Sequence, residues 1–386
     1  MNYPLTSSTF DKEEREAMVN VIDSNMFTMD KHVEDFEDRF AKYFGRKYAV
    51  MVNSGSSANL VAIASLFYRE NMPLKMGDEV IVPCISWATT FYPLHQYGLK
   101  LKFVDIDLET LNYDIDELKS AVTPNTKLIV AVSILGNPCY FDEITDICED
   151  NNIILFEDNC ESMGARFNGK YTGTFGLIGV FSTFYSHHIS TMEGGLITTD
   201  DYEICCLCKS LRNHGMTRGQ GDNSPIYERK QDDFYEAYRF ILPGYNVRPT
   251  ELNGAIGKEQ LKKLDRFLEM RRGNAKHFAD LFKDDERFII QKEVGESSWF
   301  SFTMIVKPES GLIRKDVLKK LRESDIDYRI ITGSNMLRHD VVKYFNYEVT
   351  KSTNADTAHD NGFFVGNHPV DIRDKIDYLY EVLRNV

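Results

Sequence analysis

Tyr48-Ala-Val-Met-Val-Asn-Ser54-Gly55-Ser56-Ser57-Ala58-Asn59-Leu60 decides the architecture, because a short apolar strand runs into a small polar turn and the turn into a helix. Glycine in such a turn permits close backbone approach. The first free amides of the helix and the serine hydroxyls then supply donors to an anion at the positive end of the helix dipole, so a phosphate fits there. An ordinary serine N-cap would use the same residues, and the motif by itself does not separate the two.

Working outward, similar strand-like runs recur at Glu79–Pro83, Lys102–Asp105, Lys127–Val132, Ile153–Glu157, Val180–Phe184 and Gly195–Thr198, separated by helical patterns. Several are apolar without a period of two, as strands covered on both faces should be. Thr9–Ser24 and Val33–Phe44 show helix-like spacing. The alternation predicts an α/β class with a mostly parallel sheet over residues 45–200. The polar stretch Arg218–Asp233 reads as a loop or lid, and Leu242-Pro-Gly-Tyr-Asn-Val-Arg248-Pro249 breaks periodicity ahead of a long charged helix, Leu252–Phe282. A domain change is placed there. Beyond it, Trp299–Val306 as a strand and Arg314–Ser324 as a helix suggest a smaller α+β unit.

The chain has 386 residues, 42% of them hydrophobic, which is too much for one small core. Its formal charge of −14 argues against a nucleic-acid surface and for a soluble cytoplasmic protein that meets anionic substrates with local cations. No basic leader followed by an apolar run opens the sequence, and no uninterrupted apolar run of about 18 residues occurs, so neither export nor a membrane span is expected. The seven cysteines are an odd number and form no paired C-x-x-C motifs. Free thiols are expected, and no metal site. Cys205-Cys206-Leu207-Cys208 lies in a helix-like run without a fourth ligand nearby for an iron–sulfur cluster.

Two further stretches carry chemistry. Ile153-Ile-Leu-Phe-Glu157-Asp158-Asn159-Cys160-Glu161 is an apolar strand ending in adjacent carboxylates, at the edge where α/β sheets bind ligands. A carboxylate there can pair with a protonated ring nitrogen; Asp158 is the candidate, and helix capping is the alternative use. Phe181-Ser182-Thr-Phe-Tyr-Ser-His187-His188-Ile-Ser-Thr-Met-Glu193-Gly194-Gly195 holds two adjacent histidines before a tight turn. In extended chain their side chains point apart, so joint metal binding is disfavoured. His188 reads comfortably as a structural histidine.

The ordered set Gly55-Ser56-Ser57, Trp87 within Pro83-Cys-Ile-Ser-Trp-Ala-Thr-Thr90, Glu157-Asp158-Asn-Cys-Glu161, Ser182 with Glu193-Gly-Gly195, and Gly244-Tyr-Asn246-Val-Arg248 resembles the DegT/DnrJ/EryC1/StrS sugar aminotransferases over nearly the whole chain. The resemblance implies a fold-type I pyridoxal phosphate architecture: a large mixed, mostly parallel sheet domain over residues 1–250 and a smaller α+β C-terminal domain over 251–386. It implies a homodimer with shared active sites. Counting back from Glu193-Gly194-Gly195 to Ser182 puts His187 where the family carries its Schiff-base lysine.

That substitution, with Phe27-Thr-Met29, Pro243–Pro249 and Glu296-Ser-Ser-Trp-Phe300, resembles the branch that removes the C3 hydroxyl of GDP-4-keto-6-deoxy-D-mannose with L-glutamate as amino donor, on the route to colitose. Imidazole moves protons but cannot form a Schiff base. The cofactor implied is pyridoxal 5'-phosphate, alternating with pyridoxamine 5'-phosphate, held without a covalent lysine bond. By resemblance His187 is the acid/base; Gly55, Ser56 and Ser182 hold the phosphate; Trp87 stacks on the ring and Asp158 binds its nitrogen. Asn246 reaches the partner subunit's phosphate. Glu161 stands where the family usually has glutamine, and would bond the cofactor hydroxyl or substrate according to its protonation. His214, Arg248 and Arg329 are candidate substrate contacts. Three rivals remain: a 4-aminotransferase with Lys170 or Lys209 moved into the site, a non-catalytic nucleotide-sugar binder, and an iron–sulfur CDP-sugar dehydratase, against which the incomplete cysteine set counts.

Overall fold

The computed structural model describes residues 1–221 and 223–386. Its strands are β1 Tyr48–Val52, β2 Glu79–Pro83, β3 Lys100–Val104, β4 Thr126–Val132, β5 Ile154–Asp158, the hairpin β6 Arg166–Phe167 and β7 Lys170–Tyr171, β8 Ile178–Ser182 and β9 Gly195–Thr199, followed by β10 Phe288–Ile290, β11 Ser301–Val306, β12 Tyr328–Arg329, β13 Tyr347–Val349 and β14 Gly362–Gly366. The main sheet has the order β1-β9-β8-β5-β4-β2-β3-β13. It is parallel from β13 through β8, while β9 runs antiparallel to both β8 and β1. β2, β5, β8 and β9 are buried at every residue, which is why they read as unbroken apolar runs.

The register brings the polar turns together. Gly195 pairs with Val52 on one side and with Ser182 on the other, so the turn after β1 lies beside the end of β8. Space there is tight: a Cβ on Gly195 would sit 2.4 Å from the Ser54 carbonyl oxygen. Helix Gly55–Tyr68 packs beneath, buried on most sides.

A four-stranded antiparallel sheet, β10-β11-β14-β12, forms the second unit. Its separate core includes Phe278 stacked on Phe302 at 4.5 Å. The chain does not divide between the two cores at a single point. Tyr3 is fully buried in the second core and donates its hydroxyl to the Gly366 carbonyl at 2.6 Å. β13, by contrast, returns to the main sheet beside β3. Helix Leu264–Phe282 begins in the large core, with Phe267 and Leu268, and ends in the small one, with Phe278 and Phe282.

The long helix expected over Leu252–Phe282 is two, Glu251–Leu261 and Leu264–Phe282. Neither glycine nor proline marks the break; Lys263 there pairs with Glu14 at 2.8 Å and with Asp11 at 2.5 Å. Within Arg218–Asp233, Asp222 lies outside the described residues. Among the described residues, no helix is long and apolar enough to cross a membrane.

Candidate active site

A cavity of about 440 Å³ opens between the carboxyl edge of the main sheet and the small domain. One wall comes from strand ends. Ser54 to Ser56 follow β1, Ser86 and Trp87 follow β2, Val132 ends β4, Asp158 ends β5 and Ser182 ends β8. The strand period sorts the paired carboxylates. Glu157 points away and accepts the amides of Gly173 and Gly176, both at 2.6 Å, so it pins a turn behind the sheet. Asp158 points into the cavity, where its Oδ2 accepts from Asn59 Nδ2 at 3.0 Å and Thr90 Oγ1 at 2.7 Å. Its Oδ1 accepts the Cys160 amide at 3.2 Å, so it caps a turn as well as facing the cavity.

Gly55 is required by contact, since a Cβ there would stand 2.7 Å from Ser182 Cβ. The helix it opens is capped by Ser54, which accepts the Ser57 amide at 3.0 Å. Ser56 donates to Thr89 at 2.9 Å, and Ser182 Oγ accepts the Phe184 amide at 3.3 Å. Trp87 stands 58% exposed at the rim, an unusual place for an indole without something to cover it.

Phe184 to His187 form a turn, the His187 amide donating to the Phe184 carbonyl at 3.0 Å. The chain bends at the two histidines, which end in different surroundings. His188 is fully buried, with Nε2 3.1 Å from the Ser298 carbonyl, which fixes the proton on that nitrogen. His187 lines the cavity, and its Nδ1 is buried without a hydrogen-bond partner. Burial pushes its pKa down to about 4, and main-chain groups of Cys160 and Ser182 only partly offset this. The imidazole is therefore neutral at pH 7 and free to accept a proton.

The opposite wall belongs to the small domain, through Phe300, Arg329, Ile330, Thr332, Gly333 and Phe364. Glu161 joins the two walls: its Oε2 accepts the Leu135 amide and the Thr332 hydroxyl, each at 3.0 Å. Burial pushes its carboxyl up to about 7 in spite of those bonds.

Of the residues singled out in the sequence, Gly55, Ser56, Trp87, Asp158, Glu161, Ser182, His187 and Arg329 share this cavity. Asn246, His214 and Arg248 do not. Asn246 and His214 are exposed on a neighbouring surface, the Asn213–Asn246 bridge joins their segments, and Arg248 Nε donates to Asn246 Oδ1 at 3.0 Å. His214 and Arg248, expected as substrate contacts, thus lie on the surface that bears Asn246 and not in the cavity of the same chain. Asn59, Thr90 and Thr332 were missed. Asn59 did leave a trace, a polar residue in a helix otherwise apolar on most sides.

No lysine lines the cavity among the described residues. Lys170 stands over the Phe175 ring at 4.6 Å, and Lys209 lies on helix Tyr202–Leu211. Cys205, Cys206 and Cys208 are buried along that same helix, outside the cavity.

The sequence profile of the DegT/DnrJ/EryC1/StrS aminotransferase family matches residues 8–384. The chain belongs to that family. Within the DegT/DnrJ/EryC1/StrS family, it is 56% identical to the GDP-4-keto-6-deoxy-D-mannose 3-dehydratase of Escherichia coli O55:H7, covering all of both chains. The structure of an E. coli GDP-4-keto-6-deoxy-D-mannose-3-dehydratase with bound hydrated PLP superposes with a TM-score of 0.98 at 56% identity, over 99% of each chain. A second 3-dehydratase structure, with a trapped PLP-glutamate geminal diamine, matches equally well: TM-score 0.98, 56% identity, 99% of this chain and 100% of that one.

Proposed function

We propose that this chain is a pyridoxal-phosphate-dependent lyase that converts GDP-4-keto-6-deoxy-D-mannose and L-glutamate to GDP-4-keto-3,6-dideoxy-D-mannose, ammonia and 2-oxoglutarate. The atoms balance: the oxygen lost from sugar C3 equals the oxygen gained when glutamate becomes 2-oxoglutarate and ammonia. The observation that carries the reading is a cavity with no lysine among the described residues and a neutral imidazole in the bend that follows β8.

The residues fit the cofactor. Gly55 leaves room that a Cβ would fill, at the start of a 14-residue helix, where Ser56 and Ser182 would take a phosphate. Trp87 would cover one ring face. Asp158, steadied by Asn59 and Thr90, would pair with the ring nitrogen. Bound there, pyridoxal phosphate supplies an electron sink that takes the amino group and electron pair of glutamate and passes the pair to the sugar.

The remaining steps are proton movements, and His187 is placed to make them. As a neutral imidazole it accepts a proton from carbon at pH 7. Once protonated in a buried site it becomes a strong acid, and gives that proton to the C3 hydroxyl as the oxygen leaves. Its lowered pKa favours that donation. Hydrolysis then returns ammonia, so no aminated sugar accumulates. Glu161, largely protonated below pH 7, would bond the cofactor hydroxyl or the substrate. Arg329 would meet substrate oxygens or the glutamate carboxylate.

Residues 1–250 would carry the cofactor and residues 251–386 would close over it. The reading includes a homodimer in which Asn246 serves the partner subunit's phosphate, supported by its exposure outside its own cavity. We place the reaction in the cytoplasm, supplying a dideoxy sugar for lipopolysaccharide. The test is stoichiometry. Purified protein with pyridoxal phosphate, glutamate and GDP-4-keto-6-deoxy-D-mannose should release one ammonia and one 2-oxoglutarate per sugar consumed; 2-oxoglutarate without ammonia would mean the amine stays on the sugar.

A further inference from the structure

A histidine acting as a base is usually turned into place by a hydrogen bond from its second nitrogen to a carboxylate or carbonyl. His187 has no such partner at Nδ1. Beside the main-chain groups of Cys160 and Ser182, two aromatic rings grip the imidazole. Phe184 meets it edge to face at 5.9 Å and 87°, and Phe300 at 5.1 Å and 88°. The two rings differ in how firmly they are held. Phe184 shares the turn of His187 and is 42% exposed. Phe300 comes from the small domain and is tied on both sides of its peptide unit, its amide donating to the Leu135 carbonyl at 3.1 Å and its carbonyl accepting Arg271 Nη1 at 3.1 Å.

The residue before it adds to the constraint. Trp299 is buried with φ +47°, a left-handed conformation that a bulky residue adopts only where its surroundings impose it. Its amide donates to Ser297 Oγ at 3.0 Å, its indole to Glu293 at 3.2 Å, and its carbonyl accepts Asn367 Nδ2 at 2.8 Å. Gly136 makes room for it, since a Cβ there would lie 2.6 Å from the Trp299 nitrogen. The Phe300 ring also lies 5.7 Å from that of His188, whose Nε2 faces Ser298. The segment 298–300 therefore braces both histidines.

We infer that Phe300 is a positioning residue, which holds the His187 imidazole edge-on at the angle needed for proton transfer, where no carboxylate orients the ring. This rests on the function proposed for His187. It has a consequence that a role for Phe300 in sugar binding lacks. His187 serves both the glutamate half-reaction and the sugar half-reaction, so loosening its ring must slow both.

The experiment uses the holoenzyme, with rapid mixing to follow cofactor absorbance on adding glutamate alone, and steady-state turnover with the sugar. Phe300→Leu should slow the glutamate step and lower kcat by a similar factor, on the order of 10–100, as expected for a displaced catalytic group. KM for the sugar and cofactor affinity should stay within about twofold, because neither uses the imidazole angle. Phe300→Tyr, which keeps the ring, should restore most of the rate. Phe300→Met serves as the ringless variant should the leucine variant fold poorly. An unchanged glutamate step in the ringless variant, or a rise in sugar KM alone, overturns the inference, as does failure of the tyrosine variant to recover. His187→Asn run alongside separates the two readings: if it turns over normally, the role of His187 itself is wrong, and if it is inactive while the ringless variant is fast, only the bracing by Phe300 is.

Discussion

The two walls of the cavity are built in different ways. The large-domain wall consists of strand ends in one sheet, so its residues follow regular backbone and short motifs: Ser54 to Ser56, Asp158 and Ser182 each sit where a strand stops. The small-domain wall rests on irregular backbone. Trp299, Thr332 and Ser334 are non-glycine residues with φ of +47°, +33° and +63°. Such conformations cost of order 1–3 kcal/mol each and persist only where neighbours enforce them. The comparison suggests a division of labour, with chemistry on the sheet edge and adjustment on the strained wall.

That division is open to test from its strongest element downward. His187→Asn should lower dehydration by on the order of 10²–10⁴ while cofactor binding, read by absorbance titration, persists. Asp158→Asn should cost roughly 10²–10³ in kcat if Asp158 pairs with the ring nitrogen as proposed, because its charge is lost while Asn59 and Thr90 stay in place. Gly55→Ala forces a methyl to within 2.7 Å of Ser182 Cβ, so cofactor affinity should fall by about tenfold or more, with little change in kcat at saturation.

On the other wall the effects should be graded. Glu161 has a pKa raised from 4.5 to about 7 by burial, so the folded protein binds its proton more tightly than the unfolded chain does. Its contribution to stability is complete below about pH 4.5 and is lost as pH rises through 7. Melting temperature of the native protein, compared across pH 5 to 9 with that of Glu161→Gln, should fall more steeply, and the glutamine variant should lose that slope. Thr332→Val removes one hydrogen bond to Glu161 and should cost only about 1 kcal/mol, seen as a few-fold rise in KM. A Thr332 variant as damaging as the His187 variant would break the division of labour.

The difference between the walls also explains what the sequence revealed. Strands buried on both faces announced themselves as apolar runs, and the turns between them as Ser-Gly-Ser and Glu-Asp signatures, because a sheet edge forces ligands and small residues to recur at strand ends. β13 was invisible, being three exposed residues, Tyr-Glu-Val, with no apolar run. The helix break at Lys262 and Lys263 was hidden for a similar reason, since a long-range ion pair with Glu14 stabilises it in place of glycine or proline. Thr332 and the bracing contact of Phe300 depend on tertiary approach between domains, and local patterns carry no record of that. His187 drew attention only through the family resemblance, which, counted back from Glu193-Gly194-Gly195, puts it where the family carries its Schiff-base lysine.

The most direct measurement is mass spectrometry of the nucleotide sugar formed by the native holoenzyme from GDP-4-keto-6-deoxy-D-mannose and glutamate, with His187→Lys beside it. A native product one oxygen lighter than the substrate, with no amino group on its sugar and lost in the lysine variant, is the result expected if imidazole has replaced the Schiff-base lysine as proton carrier. A native product that carries an amino group on its sugar would contradict it.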